Sequence, residues 1–569
     1  FALTVTYATI FSLIASFTVT PMLASLILPD KDVKKHPIGQ KLEAMFHAWE
    51  STYQRWIKSM LKSKKRSLAV VLASVVLFVL SLFVAKQVGF EFMPLLDEGD
   101  INVEVELPQG YNMDQTAQIV NTIQDRITKH PEVKQVLTTI GSLSELDVGT
   151  NLALMRVKLV DASERELSSN RMANLFIKEL SDIPNALIRV SPVSSIGSGQ
   201  APIQFYLMGQ EADTLEQIKS RLIPRIKNIP GLVNLNTSSR AGKPEITIFP
   251  DRRKISEAGL TVFDIAMTAR AAVEGIVTTR YRESGNEYDI RLKLNDNSVN
   301  STEKIRALTV VSRQGRYRIG QLADIRLTSG YSKILHLDKY KSIEFSGYNA
   351  PGHPLGDIVS EINRRAAEIK MPPGYKISWG GSARMMKETA VDMLRTFIIA
   401  FVLTYMLLAA ILESLTQPLL ILGTVPLALI GVFIALIATG QTMNTISMMA
   451  IVMLLGIVVN NAILLLDYAN ILRRRGKNVH DALVEACPTK LKPIIMATIA
   501  IILGMAPMAL GIGEAGVEFR QPMGIVSIGG LVVSGVLTLF VIPALYHLTT
   551  REQDGKQKET TQPQPETQR

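Results

Sequence analysis

Gly456-Ile-Val-Val-Asn-Asn-Ala-Ile-Leu464 lies near the end of an uncharged run that extends from Ser414 to Leu466. A bilayer core needs about 20 apolar residues per helix, so this run holds two spans, divided at the polar turn Gly440-Gln441-Thr442. An amide without a partner in hydrocarbon costs roughly 2–7 kcal/mol. Asn460 and Asn461 sit mid-span, among Ile, Val, Leu, Met and Ala. Both are expected to point into a helix bundle, and polar groups inside a membrane span are functional suspects by default.

Working outward, seven segments are apolar and long enough to span or nearly so: 1–28, 67–85, 396–412, 418–438, 445–466, 493–512 and 524–548. The chain has 569 residues, 47% of them hydrophobic and 20% charged, with mean hydropathy +0.20. That mixture fits membrane spans joined to a large water-exposed part. The net charge of +10 does not call for nucleic acid, because the basic residues cluster beside the spans. Lys31, Lys34, Lys35, Lys64, Lys65 and Arg66 follow the first span. Arg473, Arg474, Arg475, Lys477, Lys490 and Lys492 follow the fifth. Both loops should be cytoplasmic, which places 90–387 outside. The single cysteine, Cys487, excludes a disulfide framework and a cysteine-rich metal site. The chain opens at Phe1 inside an apolar segment and is expected to be part of a longer protein.

Residues 29–66 form a connection that carries an amphipathic helix. Leu42, Phe46, Trp49, Tyr53, Trp56 and Ile57 keep helical spacing, and flanking lysines suit a helix lying on the membrane surface. The alternative is a helix packed on a protein domain. The external part alternates strand and helix patterns. Strand-like 101–107, helical 113–129, strand-like 133–140 and 152–159, helical 169–180 and strand-like 187–193 give a β-α-β-β-α-β order. That is the ferredoxin-like split βαβ unit. A second unit starts at 203–208 and 215–226 and finishes at 342–348, 355–369 and 375–379, with an insertion between. The tail, 549–569, is rich in Gln, Thr and Pro and is expected to be disordered.

Four stretches then make the pattern specific. Phe92-Met-Pro-Leu-Leu-Asp-Glu-Gly99 enters the external part, and Leu408-Ala-Ala-Ile-Leu-Glu-Ser414 closes a span. Gly456–Leu464 and Lys490-Leu-Lys-Pro-Ile-Ile-Met-Ala-Thr498 lie in later spans. In order and spacing they resemble the C-terminal half of a resistance–nodulation–division (RND) efflux transporter, of the hydrophobe/amphiphile branch. The resemblance implies an α-helical multi-span membrane bundle plus an α+β periplasmic porter domain. It makes 1–28 the family's sixth span, 67–88 the seventh and 390–548 the eighth to twelfth. It makes 89–201 a first porter subdomain, 202–250 with 332–381 a second, and 251–331 a docking-like insertion. It also implies a trimer in a bacterial inner membrane, a periplasmic adaptor, an outer-membrane channel and small amphiphilic substrates such as drugs. No cofactor is implied; the drive is proton-motive force.

By the same resemblance, Asn460 stands where drug pumps of the family place a lysine, and Asn461 beside it, so a part in the proton relay is expected. Interhelical hydrogen bonding is the other reading. Lys490 matches a basic residue bordering the proton path, although the positive-inside rule explains it equally. Thr498 lies one position past the family's relay threonine. Asp467, seven residues beyond Asn460, fits an interface residue. Ile203, Phe205 and Leu207 resemble apolar pocket-lining positions, or are ordinary core. The loop 141–151 corresponds to one that separates two pockets, and it offers Leu143, Leu146 and Val148 where drug pumps carry phenylalanines.

The 22 methionines raise a metal exporter of the Cu, Ag or Zn type, since thioethers suit Cu(I) and Met155 and Met208 are candidates to face one cleft. Many other methionines are span filler, and metal exporters tend to carry a glutamate in the span of Asn460. No metal site is assigned. A third reading is a membrane scaffold or binding protein that transports nothing. An enzyme is not expected: the sequence has no nucleotide-binding glycine loop and only seven scattered histidines.

Overall fold

The computed structural model describes residues 2–27, 37–94, 96–144, 147–193, 201–239, 243–330, 333–350, 352–513 and 516–550. Residues 28–36, Leu146 and the tail from 551 therefore lie outside the described residues. The chain divides into a helical unit (Phe1–Val88, Asp392–Gly513, Val517–Arg569) and an α/β unit that holds Gly89–Val391.

The helical unit opens with α1 (Ala2–Ile27), α2 (Pro37–Leu61) and α3 (Lys64–Ala85). Helix α1 is exposed along nearly its whole length, and its surface is mostly apolar and carries no charged residue, as suits lipid. Helix α3 starts at Ser63, whose side chain accepts from the Lys65 amide at 3.3 Å. The amphipathic α2 buries Tyr53, Ile57, Met60 and Leu61 against later helices of its own unit and leaves Trp56 exposed. The Tyr53 hydroxyl donates to the Leu539 carbonyl.

In the α/β unit, β1 (Asp100–Glu106), α4 (Met113–Ile127), β2 (Val133–Ser142), β3 (Val148–Leu159), α5 (Ser169–Glu179) and β4 (Leu187–Pro192) follow one another. The sheet order is β2-β3-β1-β4, all antiparallel, with one strand threaded between two others as in a split βαβ unit. Strand alternation puts Ile101, Val103 and Val105 under α4 and α5, where Val120, Ile123, Met172 and Phe176 complete the core. Asp97, from the stretch entering this unit, fixes α5: it accepts from Arg165 Nη2 at 2.5 Å, from the Ser169 amide at 3.1 Å and from the Ser169 hydroxyl.

The second sheet is built from β5 (Ile203–Gly209), α6 (Ala212–Ile226) and β6 (Leu232–Thr237) before an insertion. The insertion comprises β7 (Lys243–Pro250), α7 (Arg252–Glu257), α8 (Val262–Val273), β8 (Ile276–Glu283), β9 (Asn286–Leu292), α9 (Thr302–Ala307), β10 (Thr309–Ser312), β11 (Gly315–Arg318), α10 (Ile319–Leu322) and β12 (Ala323–Gly330). The sheet resumes with β13 (Leu335–Leu337), β14 (Tyr340–Asn349), α11 (Leu355–Ala367) and β15 (Lys376–Gly380). Its order is β13-β14-β5-β15, and β6 also pairs with β14. Strands 203–208 and 342–348 are thus neighbours, in register Phe205 to Phe345. Residues 243–250, included in the expected second subdomain 202–250, pair with β12 and contribute Ile246 and Ile248 to the insertion's own core. By strand pairing, 243–250 go with the insertion. Its boundary follows strand pairing, which a local hydrophobic pattern does not reveal.

The remaining helices are α12 (Gly381–Leu412), α13 (Gln417–Leu422), α14 (Thr424–Thr439), α15 (Thr445–Arg474), α16 (Val479–Ala509) and α17 (Val517–Thr549). Together with α1 and α3 they supply seven helices long and apolar enough to cross a membrane. Helix α12 begins well before 396, because its charged first half is sustained by i,i+4 and i,i+3 pairs such as Arg384–Glu388 at 2.8 Å and Arg395–Asp392 at 3.2 Å. Gly440, with φ +66°, ends α14 in the left-handed conformation. Helices α14, α15 and α17 form the buried centre. There α14 and α17 approach closely at Gly431 and Gly529: a Cβ on Gly431 would lie 2.1 Å from the Gly529 carbonyl oxygen.

Candidate functional site

Each unit holds a place where polar residues gather that bears on the expected site. In the helical unit the place is the middle of α15. Adjacent residues on a helix point about 100° apart, so Asn460 and Asn461 cannot share a direction. Asn461 is buried, and its Nδ2 donates to Thr498 Oγ1 on α16 over 3.5 Å. The Thr498 hydroxyl in turn donates to the Ile494 carbonyl at 2.8 Å, one turn back on its own helix. Gly535 of α17 faces Thr498 with no side chain in the way. Asn460 is exposed, on the stripe that also carries the exposed Gly456 and Asp467. Asn461 is thus turned toward the helices of this unit, and Asn460 faces out from them. Lys490 is half-buried, with Nζ 4.7 Å from the Tyr468 ring centroid. It stands eight residues, about 12 Å of helix rise, before Thr498 and is not part of the Asn461–Thr498 bridge.

A second polar cluster near the ends of these helices was not singled out from the sequence. The Tyr546 hydroxyl donates to Asn470 Oδ1 at 2.8 Å and accepts from Arg473 Nη1 at 3.0 Å. Gln417 and Asn470 exchange amide hydrogen bonds at 2.8 and 3.3 Å. These contacts tie α13, α15 and α17 together.

In the α/β unit the place is a cleft of about 250 Å³ between the helix-free faces of the two sheets. Strand alternation decides which residues reach it. Ile203, Phe205 and Leu207 do not: all three are fully buried beneath α6 and α11, and Phe205 stacks on Phe345 at 4.6 Å. Of the two readings for these residues, pocket lining and ordinary core, their burial fits core. The opposite face of the same strand sends Gln204 into the cleft, where its Nε2 donates to Glu344 Oε1 at 2.7 Å. Leu143 does line the cleft, beside Asp147, whose carboxylate pairs with Lys333 at 2.9 Å. Met155 is fully buried in the first core and Met208 is buried beside β14, so neither lines this cleft.

The first sheet contributes Glu104 and Arg189, cross-strand partners on its open face. Arg189 is buried; Nε donates to Glu104 at 3.1 Å and Nη2 to Glu106 at 3.1 Å. Its remaining terminal nitrogen, Nη1, is buried without a protein acceptor. The two sheets are linked by Asn234 Nδ2, which donates to the Val190 carbonyl at 2.9 Å, and by a Tyr348–Ser191 side-chain bond. Burial raises the Tyr348 hydroxyl above its ordinary range; the Ser191 bond lowers it, the Glu104 charge raises it and the Arg189 charge lowers it. Burial and then the Glu344 charge likewise raise Tyr206. Among the described residues there is no cluster of three His, Cys, Asp or Glu side chains fit to hold a metal ion.

The polar alternates Glu104, Arg189, Gln204 and Glu344 were readable as the second face of each strand pattern. They carry no motif, and the apolar alternates drew the reading to the wrong face.

Long apolar helices joined to paired β-α-β-β-α-β sheets define a membrane protein with a porter-like α/β part. The AcrB/AcrD/AcrF family profile matches residues 1–550, and the chain belongs to that family, the RND efflux transporters. Its members are transporters, not enzymes. The fold is similar to two crystal structures titled "heavy metal efflux pump". Crystal form II is matched at TM-score 0.75 and 23% identity, over 88% of this chain and 52% of that one. Crystal form I is matched at TM-score 0.76 and 23% identity, over 89% and 52%. This chain spans about half the length of the structures it matches. At that identity the likeness is one of fold.

Proposed function

We propose that this chain is the C-terminal half of a proton-driven RND permease that exports small organic compounds through the cleft of its α/β unit. The observation that carries this reading is the cleft itself, placed between two sheet faces that a globular domain would otherwise close against each other. Drive comes from an ion gradient; one charge moving through 100 mV supplies about 2.3 kcal/mol. In this reading the stripe of Gly456, Asn460 and Asp467 receives helices of the other half. Asn460 bonds a carboxyl there in both protonation states, and the Asn461–Thr498 bridge couples α15 to α16. Lys490 borders the cytoplasmic end of that path. The assembly is a trimer in an inner membrane, with a periplasmic adaptor, an outer-membrane channel and the insertion of 243–330 as docking part. A metal cargo is raised by the titles of the fold neighbours, but the burial of Met155 and Met208 away from the cleft favours organic cargo.

The test uses the full-length protein in proteoliposomes with an imposed pH gradient and two reporter compounds, ethidium and Nile red. Export of either that collapses with the gradient supports the proposal. Gradient-independent leakage equal to that of empty liposomes would overturn it.

A further inference from the structure

Helix α2 presents three different faces. Adjacent helix positions turn by about 100°, so Tyr53, Ile57, Met60 and Leu61 share one arc, and all four are buried against helices of their own unit. Met45, Trp49 and Trp56 form a second arc beside it. Trp49 meets Phe46 edge-on at 5.6 Å and Trp56 meets Phe540 at 6.0 Å, yet the two tryptophans stay 44% and 60% exposed. Lys41, Arg55, Lys58 and Lys62 make a third arc, on the far side of the tryptophans from the buried face, and all four are exposed. Glu43 and Glu50 lie outside this arc.

The first turn of α3 extends the basic arc. Arg66 Nη1 donates to the Ser59 carbonyl at 3.0 Å and to the Ser59 hydroxyl at 3.3 Å, which ties its guanidinium to α2 next to Lys58. Arg55 donates only to the neutral Thr52 hydroxyl, at 3.1 Å. Among the described residues, no carboxylate lies within ion-pair distance of Lys41, Arg55, Lys58, Lys62, Lys65 or Arg66. Exposed arginines of the α/β unit are often paired: Arg126 with Asp182, Arg225 with Glu368, Arg280 with Glu287 and Asp289, and Arg364 with Glu361. Gathered like charges repel one another, so this patch favours an anionic surface set against it.

Position decides which surface. Helix α3 continues from Arg66 as a helix long and apolar enough to cross a membrane, with Leu68 and Leu72 exposed near its start. The cations therefore stand where a span leaves the hydrocarbon, at the level of lipid headgroups. An acidic protein would meet the cations and leave Met45 and the tryptophans in water. A lipid surface covers both arcs, with the rings at the acyl boundary and the cations among the phosphates.

We propose that the outer side of α2, joined by the first turn of α3, docks on anionic phospholipid. The headgroup phosphodiesters lie against Lys58, Lys62 and Arg66, and Met45, Trp49 and Trp56 enter the acyl boundary. A helix that merely rests on a membrane needs no headgroup preference; this one selects negative headgroups. The proposal does not depend on what the cleft carries.

The test is photo-crosslinking of the unaltered full-length protein in phosphatidylcholine bilayers. Photoactivatable phosphatidylglycerol or photoactivatable phosphatidylcholine is added at one low mole fraction, and adducts are mapped to peptides by mass spectrometry. The ratio of glycerol to choline adducts on 37–66 is expected to exceed the mean ratio over the protein's other spans by at least about fivefold, the scale of one cation engaged at an anionic surface. Lys58→Gln/Lys62→Gln/Arg66→Gln should bring the ratio on 37–66 down to that mean and leave the phosphatidylcholine adducts in place. Equal ratios on 37–66 and on the other spans of the unaltered protein, which needs no variant to fold, overturn the proposal. Absence of adducts on 37–66 with either lipid, the result if a protein covers this face, does so too. An unchanged ratio in a membrane-inserted triple variant would remove these cations from the site and overturn it as well.

Discussion

Strand β5 and its neighbour β14 show two opposite solutions on their two faces. One face sets Ile203, Phe205, Leu207 and Phe345 beneath α6 and α11, with no solvent contact to speak of. The other carries Gln204, Tyr206, Glu344 and Tyr348 toward a second sheet and leaves a cleft between. The apolar face is closed by interdigitation and sets stability. The polar face is closed only by a few bonds, such as Asn234 to Val190, and sets what the cleft accepts. The apolar face is fully buried, whereas on the polar face Gln204 is buried and Tyr206, Glu344 and Tyr348 are half-buried; the hydrogen-bond account sharpens the same division between core and site. The same contrast recurs in the helical unit, where Asn461 is bonded inward and its neighbour Asn460 is exposed.

The largest expected effect lies on the closed face. Phe205→Ala removes a ring stacked on Phe345 and 5.2 Å from Trp379, leaving a cavity that the sheet cannot collapse. It should lower the free energy of local opening of the second sheet by about 3–5 kcal/mol. Hydrogen exchange of β5 and β14 amides in the full-length protein measures this. Gln204→Ala, one residue away on the open face, should cost only about 1 kcal/mol, the value of its hydrogen bond. Comparable protection losses in the two variants would erase the distinction between the faces.

An intermediate effect sharpens the comparison from outside the cleft. Asp97 gathers Arg165 and the start of α5 through three hydrogen bonds. Burial pushes its carboxyl up, but the bonds from Arg165 and Ser169 and the Arg165 charge outweigh this and hold it below its ordinary value of 3.8. A lowered folded pKa contributes stability above the unfolded value and loses it as pH falls through the folded one. Asp97→Asn is therefore expected to cost about 1.5–3 kcal/mol at neutral pH. It should also flatten the loss of stability that the unaltered protein shows below pH 4 or so. Urea unfolding at pH 7 and pH 3, followed by exchange at α5 amides, reads both. An equal penalty at the two pH values would show that the charge of Asp97 contributes nothing.

Much of this fold was legible because its signals are local. Uncharged runs marked the spans, and period-two strands with amphipathic helices marked the β-α-β-β-α-β order of 100–193. What was not legible depends on distant pairing. Strand Lys243–Pro250 reads like its predecessors, yet it joins Ala323–Gly330 across the insertion. Strand Leu232–Thr237 was missed because Asn234 and Asn236 break its apolar pattern, and Asn236 lines the cleft. The site was misread for a related reason. Apolar alternates announce themselves in sequence, while the significance of Gln204 or Glu344 appears only when a second sheet is set opposite. In the membrane, Asn460 and Asn461 are legible as polar residues in an apolar span, and the roughly 100° between adjacent helix positions gives them different surroundings.

The smallest effect on stability is expected at those two amides, and it gives the sharpest separation of roles. Hydrogen bonds between helices in a membrane average about 0.6 kcal/mol, because alternative partners exist in the unfolded reference. The Asn461–Thr498 contact, at 3.5 Å, is long and should be worth no more than that. Asn461→Leu should therefore leave membrane levels and thermal stability almost unchanged, and Asn460→Leu should do so as well. Their consequences for transport differ. Asn461 bonds a hydroxyl that is already committed to the Ile494 carbonyl, so it has one fixed partner and no group that titrates. Asn460, exposed on its stripe, is the amide free to meet a carboxyl from another helix. Proton-coupled export should then fall by tenfold or so in Asn460→Leu, the scale of one hydrogen bond to a charged group. In Asn461→Leu it should change by no more than about threefold. Gradient-driven efflux from proteoliposomes, normalised to reconstituted protein, makes the measurement. The reverse order, with Asn461→Leu the more damaging, would place the coupling at the α15–α16 bridge and reduce Asn460 to a packing residue.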